Sequence, residues 1–112
     1  MRISRSSVFI QSQGAGRYHD VMTRRQFTKI SKALADPRRF EILERIARCS
    51  KETTCASLKK KVAISPATLS HHLKELANAG LIAARHESKF MHLRLRQEVW
   101  DAYLEHLKKI GH

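Results

Sequence analysis

The chain has 112 residues, which is one domain by length, and its 42% hydrophobic content supports a modest core. Its 22 Lys and Arg against 10 Asp and Glu give a formal net charge of +12, which favours a polyanionic partner but does not choose between DNA, RNA and an anionic membrane surface. No apolar run approaches the ~20 residues of a membrane span, and two cysteines are too few for a secreted disulfide framework, so we expect a cytoplasmic protein.

The first 20 residues are rich in Ser, Gln, Gly and Arg and show no sustained apolar period. This composition predicts a disordered basic arm over residues 1–20, followed by a single folded domain over residues 21–112. The arginines of the arm are able to add phosphate contacts. A solvated tail, or an extension upstream of a natural start at Met22, is the favoured explanation of these arginines.

Two helices are predicted at the beginning of the domain. An apolar period of three and four residues indicates a first helix over about residues 23–35. Its stripe consists of Phe27, Ile30 and Leu34. Asp36 and Pro37 end this helix and cap a second one over residues 37–48. The apolar stripe predicted for the second helix contains Phe40, Leu43, Ile46 and Ala47.

A short third helix and a longer fourth helix follow, joined by only a few residues. Leu58 and Val62 lie one turn apart in the third helix, over about residues 54–62, which also carries the lysine run 59–61. A lysine run is usually a solvated surface, but this one directly precedes the fourth helix, where it can approach a phosphate backbone. Short helix, tight turn and second helix together predict a helix-turn-helix.

The fourth helix, over about residues 65–80, has an apolar side and a polar side. Ser65 is a suitable N-cap, Pro66 fits the first helical position, and Gly80 supplies a stop. At about 100° per residue, three leucines share one side. These are Leu69, Leu73 and Leu76. The other side and its flanks offer small and polar groups to a partner, namely Ala67, Thr68, Ser70, His71, Lys74, Glu75 and Asn78.

A basic hairpin and a last helix complete the predicted domain, which is mostly α with a small β-hairpin (α+β). An extended segment begins at Leu81, and alternating apolar residues over 91–95 form its partner strand, with the tip at residues 87–89. The last helix, over residues 97–110, has a wide apolar stripe that covers either the core of the same chain or a second subunit. The stripe contains Val99, Trp100, Tyr103, Leu104, Leu107 and Ile110.

Three segments, in this order, resemble the ArsR/SmtB family of winged helix-turn-helix transcriptional regulators. They are ALADPRRFEIL (33–43), SPATLSHHLKELANAGLI (65–82) and RHESKFMHLRL (85–95). The resemblance implies a homodimer, paired through its first and last helices, that binds a palindromic operator and blocks transcription until an effector weakens binding. Ala63 and Ser88 stand where the family commonly has glycine, and each costs on the order of 1 kcal/mol if its φ is positive.

The resemblance also implies which residues contact DNA and which pair the subunits. The residues expected to face DNA on the fourth helix are Ser65, Ala67, Thr68, Ser70, His71 and Lys74. Arg85 and Lys89 are expected to face DNA on the predicted hairpin over residues 81–95, which we call the wing. Their hydroxyl, imidazole and cationic groups suit phosphate oxygens and base edges. His72 lies beside the leucine side, where we expect a packed, hydrogen-bonded histidine and not a ligand. The dimer interface is expected at Phe27, Ile30, Leu34, Val99, Trp100, Tyr103 and Leu107.

The sequence retains neither of two metal sites used in the family. Thr54 and Ala56 stand in place of a Cys-x-Cys pair, and Tyr103 stands in place of a histidine on the last helix. We therefore expect no metal and no cofactor, and the effector stays unassigned. Cys49 and Cys55 are interpreted as reduced thiols, with a disulfide switch as the alternative if their Cα atoms lie within ~7 Å.

The favoured function is a sequence-specific DNA-binding transcriptional regulator, an effector-relieved repressor that binds its operator as a homodimer. The alternative is a basic nucleic-acid-binding protein without sequence specificity, which shares the charge. An enzyme is not expected, because the seven histidines are scattered and form no His-Glu-x-x-His pattern, and no nucleophile motif is present.

Overall fold

The computed structural model describes residues 22–49 and 52–111, which form one arrangement of helices around a small antiparallel sheet. In chain order the elements are α1 (Arg24–Leu34), α2 (Pro37–Arg48), β1 (Thr53–Thr54), α3 (Cys55–Lys61), α4 (Pro66–Asn78), β2 (Ile82–Glu87), β3 (Phe90–Leu95) and α5 (Gln97–Ile110). All predicted helices are confirmed within about two residues. The predicted arm over residues 1–20 lies outside the described residues.

Side-chain caps set where the first four helices begin. Thr23, Asp36, Thr54 and Ser65 each accept a hydrogen bond from the backbone N–H three residues later, at 3.0 to 3.2 Å. Such a cap satisfies an N–H group that has no partner inside the helix. The caps predicted at Asp36 and Ser65 are confirmed.

Gly80 ends α4 as predicted. Its φ is +85°, in the left-handed region that side chains disfavour. The backbone N–H of Gly80 donates to Ala77 at 2.9 Å, and that of Leu81 donates to Leu76 at 3.1 Å. This Schellman pattern closes the helix and turns the chain into the sheet. A Cβ at position 80 would also lie 2.9 Å from Nε2 of Gln26, so the end of that flexible side chain would have to shift.

The core lies between the helices and the inner side of the sheet. It draws fully buried side chains from every helix and from the sheet, including Ile30, Ile42, Ile46, Leu58, Leu69, Leu76, Leu93 and Val99. The predicted stripe of α2 is partly wrong, because Ile42 is buried whereas Phe40 is 37% exposed and Ala47 is exposed. At about 100° per residue, Phe40 lies about 140° and Ala47 about 120° around the helix from the centre of the Ile42–Ile46 side, so spacing alone admitted the wrong set.

The sheet has three strands in the order β1-β3-β2, all antiparallel. The predicted hairpin pairs Ile82 with Leu95 at its base and Glu87 with Phe90 at its end, leaving a two-residue tip. Ser88, in that tip, has a φ of 60°, and it is the only non-glycine residue with positive φ among those described, so Ala63 carries no such strain. The short strand β1 was not predicted. Across the described ranges, no helix is both long and apolar enough to cross a membrane.

Candidate nucleic-acid interface

The turn between α3 and α4 is held by buried side chains on both helices and by a hydrogen bond from α2. Leu58 and Val62 are buried beneath α3, and Leu69 anchors the first turn of α4, each with at most 2% of its surface exposed. Nη1 of Arg38, at the beginning of α2, donates to the carbonyl of Ala63 at 3.0 Å. The turn is therefore fastened to α2 as well as to the core, which fixes how α4 is presented.

The polar side of α4 is exposed, as predicted. Leu69, Leu73 and Leu76 are at most 7% exposed, and they hold the opposite side against the core. We name the exposed set the reading face. It consists of Ser65, Ala67, Thr68, Ser70, His71 and Lys74. The structure thus brings together all six helical residues that the sequence placed towards DNA, while their contacts with DNA stay predictions.

Two hydroxyls at the beginning of α4 are already bonded to each other. Oγ of Ser65 accepts from the Thr68 N–H at 3.2 Å and donates to Oγ1 of Thr68 at 2.9 Å. Because a hydroxyl has one proton, Ser65 has none left to donate to a phosphate oxygen. The Thr68 hydroxyl keeps its proton, so Thr68 is the better phosphate or base-edge donor of the two.

Exposed lysines lie on the reading face and on the elements before and after α4. Lys59, Lys60 and Lys61 are exposed on α3, Lys74 on α4 and Lys89 at the wing tip. Within residues 22–49 and 52–111, no carboxylate forms an ion pair with any of them. Charges without internal partners are free to neutralise phosphates and to release the counterions of a nucleic acid.

Arg85, predicted as a wing contact to DNA, is occupied by two carboxylates. Its Nη2 lies 2.6 Å from Oε1 of Glu52, and its Nη1 lies 2.8 Å from Oε1 of Glu87. The imidazole of His92 lies between the same carboxylates, with Nδ1 and Nε2 each 3.7 Å from one of them. The Glu52 and Glu87 carboxylates raise the pKa of Arg85, and the Arg85 guanidinium lowers the pKa of Glu87.

This cluster changes what the wing offers to DNA. Lys89 and Arg94 are wing cations without an ion pair among the described residues, whereas the charge of Arg85 is already shared with two carboxylates. Sequence reasoning missed Glu52 because it lies 33 positions before Arg85 and in no recognisable motif. Only the folding of the sheet brings the two together.

His72 is buried, as predicted, with 6% of its surface exposed. Its Nδ1 accepts a hydrogen bond from Nε of Arg39 at 3.3 Å, which confirms a packed, hydrogen-bonded histidine. Burial lowers the pKa of His72, and the nearby Asp36 carboxylate opposes that shift in part. The sequence identified this side chain but not its partner on α2.

The residues predicted at the dimer interface divide into two groups. Ile30 and Val99 have no exposed surface and belong to the core, and Tyr103 is 7% exposed with its hydroxyl 2.9 Å from that of Ser31. Phe27, Leu34 and Trp100 are half-buried, and Leu107 is 40% exposed. Two further apolar residues of α5 extend this surface. They are Leu104, 42% exposed, and Ile110, 69% exposed.

No described residues gather into a group of three or more His, Cys, Asp or Glu suited to a metal ion. Cys49 and Cys55 are free and half-buried. The thiol of Cys49 lies 3.5 Å from the carbonyl of Arg45, which it can serve as a weak donor.

A helix with an exposed reading face, a short preceding helix and a following two-stranded wing define a winged helix-turn-helix DNA-binding protein. The comparisons with known proteins agree. A family model described as a helix-turn-helix domain matches residues 34–85. The HTH-type transcriptional regulator YceK of Bacillus subtilis, itself uncharacterized, is 34% identical over 92 residues, covering 78% of this chain and 92% of that protein.

A second relative names the family. The arsenical resistance operon repressor of Staphylococcus xylosus is 31% identical over 90 residues, covering 80% of this chain and 85% of that protein. The chain belongs to the ArsR family of winged helix-turn-helix transcriptional regulators and is a sequence-specific DNA-binding protein.

Solved structures share the fold. An ArsR-like regulator from Rhodococcus sp. RHA1 aligns with a TM-score of 0.72 at 24% identity, over 81% of this chain and 84% of its own. A homodimeric winged helix-turn-helix domain from Mycobacterium bovis aligns with a TM-score of 0.61 at 26% identity, over 82% of this chain and 88% of its own.

Proposed function

We propose that the protein is a homodimeric repressor that binds an imperfectly palindromic operator in the cytoplasm and leaves it when an effector acts. The observation that carries the proposal is the reading face of α4, exposed over the core and surrounded by lysines without internal ion pairs. The Staphylococcus xylosus relative is named a repressor, which favours repression over activation. The proposal includes no catalytic step.

Each part of the interface has a physical role in the proposal. Lys74, Lys89 and the lysines of α3 bind phosphates and fix the register on the duplex. His71 and the Thr68 hydroxyl donate to base edges or phosphates, and the Ala67 methyl contacts a thymine methyl in the major groove. Ser65 acts through its cap, because its only proton is already donated to Thr68.

A second copy completes the proposed assembly. An apolar ridge on α5 consists of Trp100, Leu104, Leu107 and Ile110. Phe27 of α1 packs against α5, with its ring centroid 5.1 Å from that of Tyr103 and 4.5 Å from that of His106. A ridge of this kind is stabilised by burial against another surface. Two copies of the chain related by a two-fold axis can pack their ridges against each other. The Mycobacterium bovis domain of the same fold is described as homodimeric. Two reading faces related by two-fold symmetry then match a palindromic operator.

The test begins with selection of bound sites from random duplexes. A repressor of this kind selects a palindrome with half-sites about one helical turn apart. In the His71→Ala variant we expect the preference for the selected duplex over random DNA to fall, by about 1–3 kcal/mol if one base contact is lost. The matched control is Asn78→Ala, an exposed residue about 10 Å further along the same helix. Full preference in His71→Ala would place the reading face elsewhere.

A non-specific nucleic-acid binder is the second candidate, favoured by the net charge of +12 alone. Both candidates bind more weakly as salt rises. They differ under competition: an excess of bulk DNA or tRNA removes a non-specific binder, whereas a repressor keeps a defined footprint on its selected site. Selection that yields no shared sequence would support the non-specific binder.

A further inference from the structure

Arg39 connects three elements of the fold through one guanidinium group. Its Nε donates to Nδ1 of His72 on α4 at 3.3 Å, and its Nη1 donates to the carbonyl of Ala33 on α1 at 3.5 Å. Its Nη2 lies 3.9 Å from the carboxylate of Asp36, the cap of α2. The side chain is only 13% exposed, so these contacts hold it in one orientation. Arg39 therefore presents a fixed N–H group to the back of α4.

His72 receives that N–H group from the buried side of α4. Because Nδ1 accepts, the ring proton lies on Nε2 and the imidazole is neutral. The neighbouring residue, His71, belongs to the reading face, and the centroids of the two rings are 5.9 Å apart. The bond to Arg39 thus acts directly behind the exposed residues of α4.

We propose that neutral His72 is a positioning residue, which holds the reading face in its DNA-binding orientation by accepting the Arg39 hydrogen bond, and that protonation of His72 breaks this bond and weakens DNA binding. The proposal rests on the function proposed above, since it concerns the same face of α4. It adds a second role to α4, in which a residue on its buried side controls the orientation of the reading face on its exposed side.

The charges around His72 make protonation disruptive. Arg39 and Arg38 face it from α2 and His71 from α4, while Asp36 is the one anion in this set. A proton on Nδ1 would remove the acceptor of the Arg39 bond and place a third cation beside two arginines. Burial and these cations keep the pKa of His72 below its ordinary value of about 6.5. At neutral pH the ring is therefore uncharged and the bond is intact.

The sign of the pH dependence follows from this shift. The folded chain protonates His72 at a lower pH than the unfolded chain does, so the stability that this group contributes is complete above about pH 6.5 and is lost as pH falls towards the folded value. DNA binding that requires neutral His72 weakens in the same direction.

The experiment compares affinity for one duplex at two pH values. The probe is the duplex selected by the native full chain at pH 7.5, and its dissociation constant is measured at pH 7.5 and pH 5.5 at constant salt. The variants are His72→Asn, whose Oδ1 can accept the Arg39 bond without titrating, and His71→Asn. Contributions from the remaining histidines cancel when the ratio of the two constants in a variant is compared with the ratio in the native chain.

We expect the ratio of dissociation constants, pH 5.5 over pH 7.5, to be at least about threefold larger in the native chain than in His72→Asn. His71→Asn, which keeps His72 and its Arg39 bond, should retain the larger ratio. Equal ratios in the native chain and His72→Asn would overturn the proposal. If the native chain shows no preference over a scrambled duplex at pH 7.5, the proposed function fails instead, and the same ratios on the scrambled duplex still test His72.

A second measurement applies even if His72→Asn does not fold. In the native chain, NMR follows the His72 ring and the backbone amides of residues 67–74 as pH falls. We expect these amides to shift with the His72 midpoint, because the Arg39 bond is lost at that pH. Amides that do not shift at the His72 midpoint would show that His72 does not position the reading face.

Discussion

The guanidinium of Arg85 is shared between Glu52 and Glu87, at 2.6 and 2.8 Å, before any DNA is present. Composition and motif position favour such an arginine as a phosphate contact, yet the folded sheet supplies it with internal carboxylates. In exposed surroundings each ion pair contributes modestly to stability. Two of them on one guanidinium nevertheless fix the orientation of that side chain on the wing.

Substitution of Arg85 distinguishes a wing support from a phosphate contact. A lysine or arginine that neutralises one phosphate reduces the slope of log affinity against log salt by about 1 when it is removed. We expect this reduction in Lys89→Gln, whose ammonium has no ion pair among the described residues. In Arg85→Gln we expect weaker binding with a nearly unchanged slope. The measurement is duplex affinity over a salt series.

An equal loss of slope in both variants would show that Arg85 leaves its carboxylates and binds phosphate. Glu52→Gln serves as the companion variant, because it removes one carboxylate of the cluster without removing a cation. If Arg85 only supports the wing, Glu52→Gln and Arg85→Gln weaken binding through the same loss of order in the hairpin.

The beginning of α4 combines a folding role and an exposed position in one residue. Ser65 caps the helix, and its hydroxyl is directed to Thr68 and not to solvent. The helix dipole also makes this end favourable for negative charge, on the protein or on a bound phosphate. A side chain at position 65 therefore affects helix stability and phosphate binding by separate routes.

Two substitutions at Ser65 separate these routes. Ser65→Ala removes the cap and should lower the free energy of unfolding by about 1 kcal/mol. Ser65→Asp keeps a capping oxygen and stability close to the native value, but it places a carboxylate where phosphate is expected, so DNA affinity should fall more than in Ser65→Ala. Denaturant unfolding and duplex binding measure the two effects. Tighter binding by Ser65→Asp would contradict a phosphate at this end of α4.

The helices were more predictable than the contacts between elements. The caps Asp36, Thr54 and Ser65 and the stop at Gly80 are local signals, and each helix begins or ends where they indicate. The stripe of α2 was misassigned because the apolar residues of that helix cover more than one side, and only packing selects Ile42. Strand β1 has two residues and forms by pairing with β3, about 40 positions later, so no local sequence pattern predicts it.

In the candidate site, too, local patterns predicted the helix positions but not the contacts between elements. Helical periodicity within 16 residues places five of the six reading-face residues opposite the leucine side of α4 or on its flanks, whereas Ser65 was added by the family resemblance. His72 was placed correctly for the same reason. Its partner Arg39 lies 33 positions away, as does the partner of Arg85, and neither pairing can be derived before the fold is known.

At the scale of the whole molecule, the apolar ridge of α5 determines the proposed assembly. Leu107 lies in this ridge and is 40% exposed, so a charge there removes little from the core. We expect Leu107→Arg to convert the dimer to a monomer, because burying an unpaired charge in an apolar interface is unfavourable. Affinity for an operator with two half-sites should fall by at least about tenfold, because a monomer binds only one half-site at a time.

The matched control is Phe40→Arg, a similarly exposed apolar residue on α2, at 37%. Light scattering or sedimentation at micromolar concentration measures the mass of each variant, and circular dichroism confirms that both fold. Loss of the dimer in Phe40→Arg but not in Leu107→Arg would assign the interface to α2. A native chain that is monomeric at these concentrations would contradict pairing through α5.

The order of the sheet has a consequence for solubility. With β3 in the centre, the two edges are β1, only two residues long, and β2. Exposed strand edges are templates on which other chains can add strands and begin to aggregate. Here the outer half of β2 carries Arg85, His86 and Glu87, and the other edge is too short to guide a long strand. Short length at one edge of the sheet and charged side chains at the other therefore discourage β-aggregation of this chain.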